Sequence, residues 1–308
     1  MKKHAILAGA VALLSLAPAH TGATTCSCAG VPILGAMQSA SPADSQWFLA
    51  STYEFHDLSD LVSGSSSIPD QTGRERTSQA LIFELSRGLS EKWSFSALLS
   101  AVDHERDVGG ERDNVSGLGD AIAMFKYSPK TISLYSKNTL SLGIGSRLPI
   151  GEDDAAEHGI TFAEDLQPST GAFGGIAWAY AAHAFNESTS ARIYGMLSYT
   201  YNGENDRDYQ FGNATTASIG GSYQTSTPWG FNLEVLYRHS DRDQRASADI
   251  PNTGGRWLDI IPAVQYHINE SLALRVSGKF PLTRNLNDQL QFTTKYAFRV
   301  SLSYVFGD

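Results

Sequence analysis

The chain has 308 residues, of which 42% are hydrophobic, and its 23 Lys and Arg against 32 Asp and Glu give a net charge of −9. This acidity argues against nucleic acid and anionic lipid surfaces as partners. After the N-terminal segment, no stretch reaches the roughly 18 consecutive apolar residues that a transmembrane helix requires. The sequence therefore excludes a helical membrane protein and leaves soluble and β-barrel classes open.

Residues 1–19 have the pattern of a secretory signal peptide. Two lysines precede an uncharged run over residues 5–16, and a small-x-small cleavage motif follows at 17–19. The uncharged run is too short to span a bilayer, so it is the apolar part of a signal peptide rather than an anchor. A second candidate cleavage site follows Ala23. We therefore expect an exported chain, which without a membrane helix is either soluble or a β-barrel.

Residues 20–45 are small and polar, and we interpret them as a periplasmic N-terminal tail or plug. The only two cysteines, Cys26 and Cys28, lie in this segment. They fit a flexible tail, a redox pair or a soft-metal site for Cu(I) or Zn. Two thiolates are too few for a closed zinc site, so they are weak candidates as ligands. We predict no metal and no cofactor.

From residue 46 to residue 308 the chain is a succession of segments in which apolar and polar residues alternate. In the last segment the apolar phase runs from Phe298 to Phe306, and three of the four residues between are polar. Period two predicts β-strands with one apolar face. We place twelve strands near 46–57, 76–87, 92–105, 114–128, 134–149, 172–186, 190–202, 211–225, 230–241, 256–268, 271–282 and 292–306.

The connections between these segments alternate between tight turns and long polar loops. The long loops are expected near 58–75, 106–113, 150–171, 203–210, 242–255 and 283–291. Short turns on one rim and long loops on the other are typical of outer-membrane barrels. The fold prediction is therefore an all-β, up-and-down antiparallel transmembrane barrel of about twelve strands. Its final strand ends in Tyr304 and Phe306, which is typical of the signal that barrel-assembly machinery reads.

Charged residues in the middle of several strands fall on the polar phase. A water-filled lumen accommodates such charges better than the core of a soluble sandwich does. We predict that they line and constrict the lumen and determine its selectivity, with Arg275 and Lys279 close to Arg299. The predicted lumen residues are Glu234, Arg238, Asp259, Arg275, Lys279 and Arg299.

Three short motifs, over residues 116–120, 147–151 and 166–171, resemble in their order and spacing the outer-membrane transporter family of the MetA pathway of phenol degradation. The resemblance implies a twelve-stranded barrel and a transport role, without a substrate. Ile150 and Ser169 depart from the more usual threonine and glycine, so the chain resembles a divergent member. The residues that carry the family motifs are Gly117, Gly119, Asp120, Pro149, Gly151, Gln167, Pro168 and Gly171.

The motifs also have a direct physical interpretation. Gly117 and Gly119 allow a strand to bend or approach a neighbour closely, and Pro149 can end a strand. Asp120 could bind a cation or a lumenal arginine. The loop after the fifth strand contains six acids between residues 152 and 165 and no Lys or Arg. That loop is either a surface that bridges to lipopolysaccharide through divalent cations or a negative mouth that concentrates cations.

We predict a non-enzymatic channel or transporter of the cell outer membrane that takes up a small molecule passively, with apolar and aromatic compounds as candidates. The expected partners are outer-membrane lipid and lipopolysaccharide, the barrel-assembly machinery and the small-molecule substrate. One alternative is a structural or partner-docking barrel with a sealed lumen. The other is an outer-membrane lipid hydrolase with a Ser–His pair on the lipid face, although the sequence has no Gly-x-Ser-x-Gly motif.

Overall fold

Twelve antiparallel β-strands close into a barrel in the computed structural model, which describes residues 42–129, 137–185 and 190–307. This architecture confirms the predicted all-β, up-and-down barrel. The assigned signal peptide, nearly all of the N-terminal tail, and Cys26 and Cys28 lie outside the described residues. The barrel strands are β1 (Trp47–Asp57), β2 (Glu75–Gly88), β3 (Trp93–Val108), β4 (Glu111–Leu118 and Ala121–Tyr127), β5 (Asn138–Leu148), β6 (Gly174–Ala184), β7 (Ala191–Asn202), β8 (Ala214–Gln224), β9 (Trp229–Ser240), β10 (Gly255–His267), β11 (Leu272–Leu286) and β12 (Tyr296–Phe306).

Each strand pairs with its neighbours in sequence, and β1 pairs with β12 to close the barrel. The β1–β12 ladder is continuous from Trp47 opposite Phe306 to Asp57 opposite Tyr296. β4 is one strand in two segments. The first segment pairs with residues 101–108 of β3. The second segment pairs with residues 93–98 of β3 and, on its other side, with β5. The break between the segments falls within the first family motif.

The hairpin between β3 and β4 corrects the prediction of a loop over 106–113. Both strands continue to a two-residue turn, Gly109-Gly110, with Val108 opposite Glu111. Both glycines have positive φ, 65° and 91°, which a type I′ hairpin turn requires. The charges that indicated a loop form cross-strand ion pairs instead, such as Arg106 with Asp113 at 2.6 Å. Local polarity could not distinguish a solvated hairpin from an irregular loop.

Apart from the β3–β4 hairpin, the connections in the described residues alternate in length as predicted. Short turns join β2 to β3, β8 to β9 and β10 to β11 on one rim, and long loops follow β1, β5, β7, β9 and β11 on the other. Among the described residues, no helix is long and apolar enough to cross a membrane. The long loops contain one sheet of Asp60–Ser63, Ser66–Ser67 and Gln291–Thr293, another of Tyr209–Gln210, Gln244–Arg245 and Ala248–Asp249, a hairpin of Ala156–Glu157 with Ile160–Thr161, and a 3₁₀ helix, Glu164–Leu166.

The outward face of the barrel carries a band of exposed apolar side chains. On β2, every second residue from 81 to 85 is large, apolar and exposed, and the residues between are buried. At the short-turn rim Trp93 packs on Tyr127 and Trp229 packs on Tyr266, each with ring centroids 4.8 Å apart. Aromatic rings at one height are typical of the girdle at a membrane interface. This face is therefore suited to contact with lipid.

We expect the long-loop rim to face the cell exterior, because the short turns of outer-membrane barrels are periplasmic. An epitope inserted after Asp154, between β5 and β6, should be labelled by antibody on intact cells. The control is the same epitope inserted after Ser226, in the turn between β8 and β9. That insertion should be labelled only after the outer membrane is disrupted. The reverse labelling pattern would mean that the long loops face the periplasm.

Candidate functional site in the barrel interior and mouth

The six charged residues predicted to line the lumen lie on the inward phase of β9 to β12. On these strands, exposed apolar residues alternate with buried or half-buried ones, and the six charged residues share the less exposed phase. Glu234 is the extreme case, with 0% of its surface exposed. The inward position follows from the alternation of the strands. Their effect on selectivity stays a prediction.

Arg299 binds an acid that the sequence did not reveal as its partner. Its Nη2 lies 2.8 Å from Glu54 Oε1, and His56 Nε2 contacts the same oxygen at 2.8 Å. Glu54 is opposite Arg299 in the ladder that closes the barrel. Glu54 and Arg299 come from the two ends of the chain, so the sequence alone could not show that they form an ion pair.

The other basic residues of this wall are also matched by groups on nearby strands. Lys279 Nζ lies 3.9 Å from Asp259 Oδ2, an acid that was also predicted to line the lumen. The Arg238 guanidinium stacks on the Trp257 ring at 3.9 Å, a cation–π contact. Arg275 donates to Asn232 at 3.2 Å rather than to an acid. Arg275 and Arg299 are diagonal neighbours on adjacent strands, as expected.

Tyr194 of β7 extends this polar network across β8. Its hydroxyl donates to Glu234 at 3.0 Å and accepts from Asn232 at 2.9 Å, both on β9. Gly220 lies between on β8, where a Cβ would be only 2.4 Å from that hydroxyl. The glycine therefore leaves the space through which Tyr194 reaches Glu234. Together these bonds follow the inner wall around β7 to β12 and β1.

The opposite half of the interior contains an apolar cluster, which the prediction of a polar lumen did not anticipate, although Glu84, Ser96 and Lys126 are buried on the same strands. A cluster of ten buried side chains extends over β2, β3, β4, β6 and β7. We call it the apolar wall, and it consists of Ala80, Ile82, Leu98, Ile122, Met124, Ile176, Trp178, Tyr180, Ala182 and Met196. The sequence contains one indication of this cluster, because both phases of β6 are apolar from Ile176 to Ala182. A strand with a wet inner face would alternate.

A glycine on β5 also makes the packing of the apolar wall possible. Gly143 lies on the inward phase of β5, and a Cβ there would be 3.0 Å from Met124 Sδ and 3.2 Å from the Trp178 ring. Trp178 can therefore cross β5 and contact β4. Its ring lies 5.0 Å from Lys126 Nζ, a buried cation that also interacts electrostatically with Glu84. Lys126 and Glu84 are charged interior residues that the sequence analysis missed.

The three family motifs meet at one place, where the loop over residues 149–173 packs on the barrel. We call this loop the mouth loop. Asp120 accepts hydrogen bonds from Ser169 Oγ at 2.5 Å and Thr170 Oγ1 at 2.6 Å, and Arg147 Nε lies 3.7 Å away. Asp120 is only 3% exposed. It lies near the arginine that was one of its expected partners, but its closest contacts are loop hydroxyls.

The small residues of the motifs make the close approach of the mouth loop possible. A Cβ on Gly117 would lie 3.0 Å from the Pro168 ring, and one on Gly151 would lie 1.8 Å from the Leu118 carbonyl oxygen. Gly171 has a φ of 68°, a conformation that favours glycine.

Three further motif residues have separate positions. A Cβ on Gly119 would lie 2.4 Å from Ser100 Oγ. Pro149 directly follows the last residue of β5, as the sequence predicted. Gln167 is fully buried and bonds the backbone of Ala155 and Phe162, so it ties the mouth loop to itself.

Arginines from other strands and loops neutralise half of the acids in the mouth loop. Arg207 bonds Glu164 at 2.6 Å and Asp153 at 3.1 Å, and Arg245 reaches Glu164 at 3.2 Å. Arg76 of β2 pairs with Asp165 at 2.5 Å. The hydrogen bonds from Arg207 to Glu164 raise the pKa of Arg207 above its usual value. The mouth is thus less negative than its local sequence indicates.

The remaining predicted residues lie on the outward face or in the loops. Tyr304 and Phe306 point outward, and Phe306 stacks on Trp47 at 6.2 Å across the closing ladder. Their role as an assembly signal stays a prediction. The described residues contain no group of three or more His, Cys, Asp or Glu arranged to hold a metal. Two histidines of the strands, His183 and His239, contact Asn138 and the Gly255 carbonyl oxygen.

The fold and its two-sided interior define an outer-membrane β-barrel of the porin-like class. A family model described as "Putative MetA-pathway of phenol degradation" matches residues 86–289, which is more than half of the chain. The chain belongs to this family, as the resemblance of its motifs implied. No protein of curated function matches the sequence.

Among solved structures, the chain is similar to an outer-membrane channel from Pseudomonas putida F1, with a TM-score of 0.69 at 10% identity. The match covers 87% of this chain and 97% of that one, and at this identity it supports the fold alone. The TodX monoaromatic hydrocarbon channel (TM-score 0.48, 10% identity, 87% and 91% covered) and the KdgM porin with oligogalacturonate (0.47, 6%, 84% and 99%) are weaker likenesses that carry no argument.

Replacing Asp120 with Ala should release the mouth loop. The substitution removes the acceptor for Ser169 and Thr170, and each buried donor left unpaired costs about 1–3 kcal/mol. Protease added to intact cells should therefore cleave the loop faster, with the barrel still assembled by heat-modifiable gel migration. Asp154→Ala, an exposed acid of the same loop, is the control and should cleave at the wild-type rate. Equal rates for both variants would contradict the anchoring role of Asp120.

Proposed function

We propose that this chain is a non-enzymatic outer-membrane channel for passive uptake of a small molecule with an apolar or aromatic body. The observation that carries the proposal is the apolar wall on the inner face of the barrel. The lumen of a transmembrane barrel that conducts polar solutes is lined by polar side chains. Sites for small organic molecules are instead lined mainly by apolar and aromatic side chains with a few placed polar groups.

The two halves of the interior suit different parts of such a molecule. The apolar wall occupies β2 to β4, β6 and β7, where Glu84 and Lys126 are also buried, and the predicted lumen charges occupy β9 to β12. An aromatic or aliphatic body would lie against Trp178 and Ile176. A hydroxyl or carbonyl group on the same molecule would face Asn232, Glu234 and Arg275. This arrangement favours an amphiphilic small molecule over an inorganic ion.

The two ion pairs between adjacent strands do not by themselves seal the barrel. Glu54 with Arg299 and Asp259 with Lys279 each join adjacent strands, so these pairs lie along the wall rather than across the lumen. The hydrolase alternative receives no comparable support, because the strand histidines at 183 and 239 have partners other than serine. The proposal includes insertion by the barrel-assembly machinery into an outer membrane with lipopolysaccharide around the loops.

The apolar wall can be tested by making one residue polar. Cells that express the chain should take up 1-N-phenylnaphthylamine, an apolar dye that fluoresces in phospholipid, faster than cells without it. Trp178→Asn should lower this excess rate about tenfold, the effect of roughly 1.4 kcal/mol, because it removes the largest apolar surface of the wall. Trp178→Phe keeps an apolar ring and should retain most of the rate. Equal rates for the two variants would remove the support that the apolar wall gives to the proposal.

The charged half can be tested by conductance. Replacing Arg275 and Arg299 together with Ser should raise single-channel conductance and shift selectivity toward cations, since Glu54 and Glu234 would lose nearby positive charge. Planar-bilayer recordings in a KCl gradient measure both quantities. Arg256→Ser, on the outward face of β10, is the matched control and should change neither. An unchanged reversal potential in the double variant would mean that these arginines do not line the conduction path.

A further inference from the structure

The outward face of β7 to β11 changes from apolar to polar along one row of residues near the long-loop rim. We call it the head-group row, and its members, which are opposite one another in successive ladders, are Tyr199, Thr215, His239, Arg256 and Asn285. Two residues closer to the membrane on β7 to β10, the outward side chains are Leu197, Ala217, Tyr237 and Leu258. The outward apolar band therefore ends between these two rows. Tyrosine at this boundary is typical of the level where acyl chains meet head groups.

Arg256 is the cation of the head-group row. It is exposed, and within the described part of the chain its side chain has no ion pair or hydrogen bond. Its neighbours in the row are the polar side chains of His239 and Asn285. A guanidinium group can contact a phosphate through two parallel hydrogen bonds. Arg256 is thus placed to bind a phosphate group at the level of the lipid head groups.

A polar cleft of about 390 Å³ lies beside His239, among residues of the loops that follow β7, β9 and β11. We call it the rim cleft. Four side-chain amides and two carboxylates are part of its lining, and they are Gln210, Asn213, Asp241, Gln244, Asp249 and Asn287. Carboxylates accept hydrogen bonds, and amides both donate and accept them. Such a mixture suits the hydroxyl groups of a sugar, since each hydroxyl also donates and accepts.

The rim cleft continues the outward face of β9. Tyr237, His239 and Asp241 succeed one another on the outward phase, whereas Ser240 between the last two is buried. The side chains of His239 and Asp241 are 38% and 57% exposed, and they approach to 3.4 Å. His239 lies about 7 Å along the strand from Tyr237. A molecule on this face would therefore contact the apolar band, the head-group row and the cleft in that order.

The loops around the rim cleft are held together by a buried carboxylate, Asp243. It accepts hydrogen bonds from the Tyr209 hydroxyl at 2.6 Å and the Gly212 N–H at 2.8 Å. Its own N–H donates to Thr253 Oγ1 at 2.9 Å, and Asn287 donates to the Thr253 carbonyl oxygen at 3.0 Å. These bonds connect the loops after β7, β9 and β11. A ligand would thus meet a preformed cleft and would have little ordering of loops to drive.

We propose that the head-group row and the rim cleft bind one lipopolysaccharide molecule of the outer leaflet, with its acyl chains on the apolar band, a phosphate on Arg256 and core sugars in the cleft. A phospholipid has no sugar for the cleft, and a free sugar has neither acyl chains nor phosphate. A phosphorylated glycolipid uses all three parts of the surface in their order along β9 and β10. Because Arg256 faces away from the lumen, this role does not involve conduction.

Binding to the chain refolded in detergent, which carries no lipopolysaccharide, tests the site. Thermophoresis should show tighter binding of full-core lipopolysaccharide than of phosphatidylglycerol, which offers only acyl chains and phosphate. Arg256→Gln should weaken binding of the full-core form about tenfold, equivalent to about 1.4 kcal/mol, because the charge opposite the phosphate is lost. Arg112→Gln, at an exposed arginine of the β3–β4 hairpin on the same rim, is the matched control and should bind as the wild type does. Wild-type affinity in Arg256→Gln would overturn the site.

A second variant tests the sugar contact. Gln244→Trp fills the rim cleft and breaks a surface hydrogen bond to Asp249. It should abolish the preference for full-core lipopolysaccharide over lipid A, which lacks the core sugars, and leave the affinity for lipid A unchanged. Glu157→Trp, at an exposed position of the mouth loop, is the matched control and should keep the preference. If the wild-type chain binds lipid A or phosphatidylglycerol as tightly as the full-core form, the glycolipid site is wrong.

Heat-modifiable gel migration reports whether each variant is assembled. If Arg256→Gln or Gln244→Trp fails to assemble, Thr215→Lys decides. This substitution adds a second cation to the head-group row beside His239, so it should tighten binding of full-core lipopolysaccharide about threefold, or about 0.7 kcal/mol. An unchanged affinity in this variant would then overturn the site.

Discussion

The structure depends on the pairing of β1 with β12. In lipid every backbone N–H and C=O must find a partner within the protein, so a sheet can cross a membrane only if its first and last strands meet. Here they meet over the full length of both strands, from Trp47–Phe306 to Asp57–Tyr296. Closure also determines which phase of each strand faces inward. Glu54, His56 and Arg299 are brought together only because the two ends of the chain share this ladder.

Once the inward phase is determined, the polarity of the interior depends on the positions of its glycines. Gly143 and Gly220 lie on strands between larger neighbours, and each leaves room for an aromatic side chain from the next strand. At Gly143 the result is an apolar contact, because Trp178 crosses to Met124, and the same ring also lies over the buried cation Lys126. At Gly220 the result is polar, because Tyr194 crosses to Glu234 and Asn232. The same structural element thus produces an apolar half and a polar half of one lumen.

The sequence predicts the fold well because barrel strands are specified by a local signal. Period-two alternation, turn residues and loop lengths can all be read within ten or fifteen residues. The interior could not be read in this way, since its contacts join strands that are distant in sequence. Glu54 is 245 residues from Arg299, and Arg207 neutralises acids on a different loop. The family motifs were recognised, but their common purpose, which is to hold the mouth loop through Asp120, requires the three segments to be seen together.

The distal end of β11 shows how the closure requirement can be relaxed. β11 continues for seven residues past its last pair with β12, which is Lys279 opposite Ala297. An open strand edge is tolerable in lipid only where protein covers the exposed backbone. Among the described residues, the loop sheet around Val62 is such a cover. Leu286 bonds the Gly64 carbonyl oxygen, and Arg284 pairs with Asp60. Trp257 of β10 also donates to Thr293 at 2.9 Å. The wall therefore combines a closed barrel, which satisfies the backbone groups in the membrane, with one strand end that a loop sheet covers instead of a barrel strand.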